Sequence, residues 1–177
     1  MFMKKIFIVD KTAFPTSEQA VLHIVSAHFQ MDNAQIIRGD HGKPFLSING
    51  ETPFFFSVSH TKDKLFIAFC KDNVGIDAEN LTRQVDYAAI IKRFSLQERK
   101  EIVDTAKFLS HWTAKESAVK WLGGSLARDL YKLRLEKGSL FYNDIPLPAI
   151  LSNFTIDGIL LTVCSEQDFT DTKFITL

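Results

Sequence analysis

The sequence is short of cysteine, has no excess charge of either sign and contains no long apolar run. Its two cysteines, Cys70 and Cys164, form no Cys-x-x-Cys pair and lie in apolar, strand-like stretches. They read as buried thiols, not as a redox or zinc motif. Lysine plus arginine and aspartate plus glutamate number 21 each, so no global field holds nucleic acid and any anion site is local. No window reaches the roughly 18 apolar residues of a membrane helix. Two lysines precede Ile6-Phe7-Ile8-Val9, but that run stops at Asp10, short of a signal-peptide core. The expectation is a cytoplasmic protein that binds neither nucleic acid nor membrane. Also missing are a Gly-x-x-x-x-Gly-Lys-Ser/Thr loop, a Gly-x-Gly-x-x-Gly turn, a Gly-x-Ser-x-Gly elbow and a His-Glu-x-x-His helix. Nucleotide-hydrolase, dinucleotide, serine-hydrolase and zinc-protease readings therefore have no support.

What is present is the composition of a folded chain, 46% hydrophobic and 24% charged over 177 residues, with sixteen phenylalanines pointing to a Phe-rich core. Lys4 to Val9 reads as a buried strand. Thr16-Ser-Glu-Gln19 has the form of a capping box, and Val21, Leu22, Ile24, Val25 and Phe29 make a helical stripe. Strands are expected around Ile36-Ile37, at Phe45 to Ile48 before an Asn49-Gly50 turn, at Pro53 to Ser59 and at Leu65 to Cys70. The pattern restarts at Val74 with a strand through Asp77. Helices are expected near Tyr87–Phe94, Leu96–Thr105 and Phe108–Leu122. Strands then follow at Leu130–Glu136 and Ser139–Tyr142, and at Phe154–Ile156 and Ile159–Ser165 about an Asp157-Gly158 turn. The fold class is α+β. The shared order of elements suggests two similar subdomains, 1–72 and 73–177, each a small, mostly antiparallel sheet packed on helices. With a hinge between Lys71 and Val74, the active site is expected at their junction.

Three groups of residues carry chemistry. In an extended strand Asp77 and Glu79 project from one face, roughly 6–7 Å apart, where they can share a hard cation. Gly75 lies on the same face, where a missing side chain lets a bulky ligand approach the backbone. Read blandly, this is a half-exposed strand with a polar face. In Trp112-Thr-Ala-Lys-Glu-Ser-Ala-Val-Lys120 a helix aligns Trp112, Glu116 and Lys120 at i, i+4. The bland reading there is a solvated face with one Glu–Lys pair. The third group, Gly42-Lys43-Pro44 with Ser59-His60, can hold phosphate oxygens, or can be a turn and a strand end.

The order of these motifs is more specific than any one of them. Gly42-Lys-Pro44, Phe56-Ser-Val-Ser-His60, Val74-Gly-Ile-Asp-Ala-Glu79, Phe94-Ser-Leu-Gln-Glu98 and Trp112 to Lys120 with Gly123-Gly124 together resemble the 4'-phosphopantetheinyl transferase superfamily. The resemblance spans about residues 38 to 130 and is to the pseudo-dimeric, surfactin-synthetase-activating type. It implies that coenzyme A donates its phosphopantetheine arm to a serine of an acyl or peptidyl carrier protein, releasing adenosine 3',5'-bisphosphate. It also implies a monomer. Asp77, Glu79 and Glu116 match magnesium ligands, with manganese as a substitute. Glu116 is also the candidate base for the carrier serine. Lys120 matches a pyrophosphate contact and His60 and Ser59 match phosphate contacts, with Glu116, Lys120 and His60 forming the catalytic set. Lys43 matches a coenzyme A contact, and Lys115, like Trp112, occupies a motif position, here grouped with the coenzyme A contacts. One departure stands out: Thr12 to Phe29 has no lysine or arginine, whereas relatives hold the 3'-phosphate with basic residues around the first helix. Arg38 and Lys43 are left to do that work. For an acidic carrier helix, Lys92, Arg93, Arg99 and Lys100 are candidates, equally readable as a solvated face. Two other readings of the same residues are a non-catalytic module binding carrier or coenzyme A, and a metal-dependent pyrophosphohydrolase.

Overall fold

Ile6, Phe7, Ile8 and Val9 are all buried, so the first strand is covered on both faces, and that sandwiching organises the molecule. The computed structural model describes residues 4–39 and 42–177. The chain runs through β1 (Lys4–Asp10), α1 (Ser17–Phe29), β2 (Gln35–Arg38), β3 (Pro44–Ser47), β4 (Phe55–His60) and β5 (Lys64–Cys70). It continues through β6 (Val74–Asn80), α2 (Leu96–Glu101), α3 (Thr105–Leu122), α4 (Leu126–Asp129), β7 (Leu133–Glu136) and β8 (Ser139–Tyr142). It ends with β9 (Ile145–Pro146), β10 (Ile150–Ile156), β11 (Ile159–Ser165) and β12 (Phe174–Thr176).

The main sheet has the order β12-β1-β5-β4 and the second the order β10-β11-β6. Apolar side chains alternate across each. Phe7, Val9, Ile67 and Phe69 face Ala20, Val21, Ile24 and Val25 of α1. Ile6, Ile8, Phe66 and Ala68 on the opposite side pack against Val74, Ile76, Ala78, Leu161 and Val163 of the second sheet. The outer face of that sheet carries α3, where Ala118 and Trp121 meet Cys164. The layers are therefore helix, sheet, sheet, helix, and both cysteines are free and buried. No helix among the described residues is long and apolar enough to cross a membrane.

Where the two sheets meet at their rims, β4 and β6 are joined by serines and not by a backbone ladder. Ser57 Oγ accepts from Ile76 N and Ser59 Oγ from Ala78 N, each at 3.1 Å. These hydroxyls satisfy strand-edge amides that burial would otherwise leave without partners.

The structure departs from the sequence pattern in several places. Of the expected helix Tyr87–Phe94, only a 3-10 turn, Ile91–Arg93, forms. Asp86 accepts from Ala88 N in an Asx turn, and Tyr87 is held flat on Phe108, with centroids 4.6 Å apart. Ser95 then starts α2 with a reciprocal capping box to Glu98. The next helix stops at Glu101 instead of Thr105, because Asp104 caps α3 by accepting from Lys107 N. Strand β7 begins at Leu133, after the short α4, and β10 begins at Ile150. The short strands β9 and β12 have no sequence signal. β12 pairs parallel with β1, so the chain returns to its first sheet after completing the second.

Candidate active site

Gly75 decides how closely α3 lies on β6. A β-carbon there would sit 1.9 Å from Ser117 O and 2.6 Å from Trp121 N. The empty space expected for a ligand is filled by the backbone of α3, which corrects the sequence reading of this glycine. This close approach sets Asp77 and Glu79, two and four residues further along the same face, beside Glu116 and Lys120. Lys120 Nζ donates to Asp77 Oδ1 at 2.7 Å and to Ile76 O at 2.9 Å, and lies 4.0 Å from Glu116. Ser59 donates to the same Asp77 oxygen at 2.9 Å. Glu79 is ion-paired with Arg83. Burial, reinforced by the neighbouring Asp77 charge, pushes the Glu116 carboxyl up to about 7, against the pull of Lys120.

Asp77 Oδ2 is buried and has no hydrogen-bond partner, an arrangement that normally calls for a ligand. Three carboxylates with one orphaned oxygen suit a hard, oxygen-seeking cation such as magnesium and offer no sulfur or nitrogen for zinc. The side chains are not drawn together around one point: among the described residues no group of three His, Cys, Asp or Glu stands at metal-binding spacing. Lys120 answers Asp77 and Arg83 answers Glu79, so the carboxylates are present with cations paired to them.

A cavity of about 350 Å³ opens beside this cluster. Its walls come from the start of α1 (Ser17, Glu18, Val21), the β2–β3 hairpin (Arg38, Gly42, Lys43, Pro44), β4 (Phe56, Ser57, Val58) and the end of α3 (Lys120, Gly123, Gly124). Lys120 thus belongs both to the cavity and to the carboxylates. Lys43 lies along Gly123, whose positive φ of 68° ends the helix, and donates to Trp121 O at 3.1 Å and Asn73 Oδ1 at 3.3 Å. Burial pulls its ammonium down to about 8. Arg38 is ion-paired with Glu18 and donates to Gly42 O at 3.1 Å.

Two residues, Lys115 and Ser59, sit differently from expectation. Lys115 is fully buried, 2.9 Å from Glu98 and 2.5 Å from Leu133 O, with its ammonium 4.3 Å from the Phe94 ring centre. It turns away from the cavity, so its expected contact with coenzyme A is replaced by a structural tie between α3, α2 and β7. Ser59, expected on a phosphate, has its hydroxyl engaged by Asp77 and Ala78 N and acts as a positioning residue. His60 is exposed at the end of β4, on the face that carries Phe56 and Val58. Of the residues that sequence reasoning passed over, Arg83 follows Glu79 at i+4. Asp129 holds the Gly124 loop by accepting from Ser125 N at 2.8 Å, and also accepts from Arg128 Nη2 at 2.8 Å and Tyr142 OH at 2.9 Å.

Residues 73–141, from just before β6 into β8, match a single family model over the stretch that carries Asp77, Glu79, Glu116 and Lys120. The chain is similar to the 4'-phosphopantetheinyl transferase superfamily. Among curated phosphopantetheinyl transferases it is 29% identical to AcpT of Salmonella typhi over 146 residues, 77% of this chain and 69% of that protein. It is 24% identical to psf-1 of Bacillus pumilus over 173 residues, 91% of this chain and 74% of that one. With Sfp of Bacillus subtilis (strain 168) the identity is 25% over 161 residues, covering 83% and 70%. The likeness to phosphopantetheinyl transferases thus reaches well beyond the matched segment, into the strands of the main sheet.

Proposed function

We propose that this protein is a 4'-phosphopantetheinyl transferase, moving the phosphopantetheine arm of coenzyme A to a serine of an acyl or peptidyl carrier protein. The observation that carries the reading is the double position of Lys120, which lines the cavity while its ammonium rests on Asp77. A pyrophosphate lying in the cavity would therefore end at the carboxylates.

Asp77, Glu79 and Glu116 would hold magnesium, or manganese in its place, which supplies Lewis-acid stabilisation of charge on the pyrophosphate. The rest falls to the chain. The serine Oγ forms its bond to the phosphorus bearing the pantetheine arm, and the bond from that phosphorus to the bridging oxygen breaks. Charge grows on those oxygens, and the Lys120 ammonium is placed to offset it. Glu116 is the most exposed of the three acids, at 18% against 14% for Glu79 and 6% for Asp77. Partly exposed beside Lys120, it is placed for an incoming hydroxyl to reach, and it accepts the serine proton. The bridging oxygen leaves on adenosine 3',5'-bisphosphate. Arg38 and Lys43 line the bound coenzyme A, and His60 stands at the end of the β4 wall as a phosphate contact.

The same reading takes 1–72 and 73–177 as two halves of a pseudo-dimer acting as a cytoplasmic monomer. The two-part reading is supported by each of the two larger sheets carrying a helix on its outer face, with the cavity between α1 and the end of α3, although β12 crosses back to complete the first sheet. A non-catalytic binding module would have no need for Asp77, Glu79 and Glu116 beside Lys120 at the mouth of the cavity.

The test is incubation of the purified protein with coenzyme A, Mg²⁺ and a panel of apo carrier proteins, read by mass spectrometry. The expected result is a gain of one phosphopantetheine on a carrier serine. Bound coenzyme A with no transfer to any carrier would overturn the proposal.

A further inference from the structure

The charges that line the cavity are not alike on all its walls. On one wall Lys120 faces both the cavity and the acids. On another wall, the first turn of α1 meets the β2–β3 hairpin, and there Glu18 is ion-paired with Arg38, the two side chains 45% and 60% exposed. The start of a thirteen-residue helix and an arginine held by Gly42 O would together attract an anion, through the helix dipole and the guanidinium fork. A carboxylate of the chain already stands there. The rest of α1 adds no lysine or arginine, and the Lys43 ammonium is turned onto Trp121 O and Asn73.

With a pyrophosphate at Lys120, the charged Glu18–Arg38 wall suits the nucleotide of the ligand better than its uncharged pantetheine arm. A 3'-phosphate monoester arriving there brings a charge of about −1.5 to −2 at neutral pH. It meets Arg38 and Glu18 together, so its attraction to the arginine is offset by repulsion from the carboxylate. We propose that Glu18 fills this position with its own carboxylate, and that the protein therefore does not select for the 3'-phosphate. Its substrates are pantetheine pyrophosphate nucleosides with either a 3'-phosphate or a free 3'-hydroxyl. From the free-hydroxyl form the same bond is made and broken, and the leaving group is adenosine 5'-monophosphate. This inference rests on the reading of the cavity as the coenzyme A site.

Calorimetric titration with coenzyme A and with 3'-dephospho-coenzyme A, in Mg²⁺, tests it on the wild type, Glu18→Gln and Glu18→Gln/Arg38→Ala. The wild type is expected to bind the two ligands within about threefold. Freeing Arg38 with Glu18→Gln should tighten coenzyme A by about five- to tenfold and move the dephospho form by less than about twofold. Adding Arg38→Ala should cancel the gain. A wild type that prefers coenzyme A by tenfold or more, or a Glu18→Gln variant that changes both ligands alike, would overturn the inference while leaving the transferase reading intact. Failure of the wild type to bind either ligand would instead remove the site reading, and this inference with it.

Discussion

Lys115 and Lys120 are five residues apart on α3, both ion-paired with an acid from another element, yet they serve opposite surfaces of the same helix. Lys115 is sealed with Glu98 in an apolar pocket under Phe94, both side chains fully buried. Lys120 stays 30% exposed, pairs with Asp77 and faces the cavity. The Lys115 pair has no room for a ligand, so it can only fix where α3 lies. The Lys120 pair leaves one Asp77 oxygen without a partner and a lysine within reach of a phosphate. The difference shows how a short motif divides between holding the helix and using it.

Variants of the two faces should separate those roles. Glu116→Gln on the cavity face is expected to lower carrier modification by about 10²–10⁴-fold, the range for losing a positioned base, with a urea midpoint close to wild type. Lys115→Met should do the reverse, because it leaves the Glu98 carboxylate buried without its partner, at a cost of about 3–5 kcal/mol. Urea unfolding checks this, and the double variant Lys115→Met/Glu98→Gln should recover part of the loss. If Lys115→Met left stability intact and removed only activity, the division between the faces would collapse.

A smaller effect is expected from Gly75→Ala. The added methyl has no space against Ser117 O, so α3 must move outward, with a loss of about 1–3 kcal/mol typical of overpacking. Because the shift separates Glu116 from Asp77, activity should fall further than stability alone explains, when measured at a temperature where the variant is folded.

The smallest effect concerns the loop that follows α3. The Arg128 guanidinium, then Ser125 N and the Tyr142 hydroxyl, hold the Asp129 carboxyl well below the ordinary carboxylate range. A group depressed in the folded state contributes stability that is present above its unfolded pKa, near 3.9, and is lost as pH falls through the folded value. Wild-type stability should therefore decline below about pH 4. Asp129→Asn, already weaker at pH 7, should show a shallower decline over the same range by thermal melting.

Much of this was legible in the chain. Short unbroken apolar runs in β1, β5 and β11 and the Thr16 cap of α1 marked those elements, because strands covered on both faces leave continuous apolar stretches and a capped helix start leaves its own signature. Asp77 and Glu79 share a face because the strand period allows nothing else. The helix expected at 87–94 failed because stacking on Phe108 and the Ser95 cap outweighed local periodicity, which a single segment cannot show. Lys115 carried a readable signal: its neighbour Glu116 is about 100° away around the helix, so the two could not share one face. Gly75 was marked as a close approach, but whether ligand or helix approaches it is fixed only by packing. The Glu18–Arg38 pair joins residues twenty positions apart on different elements, and no spacing rule links them.

The return of the last strand to β1 has a consequence for assembly. Ile6 lies opposite Phe174, so the first sheet gains its fourth strand only after every strand of the second sheet has been synthesised. Until then β1 has β5 on one edge and no strand on the other. Such a long-range closure carries a high entropic cost and comes late, so completion of the first sheet is expected to be a slow step in reaching the native state.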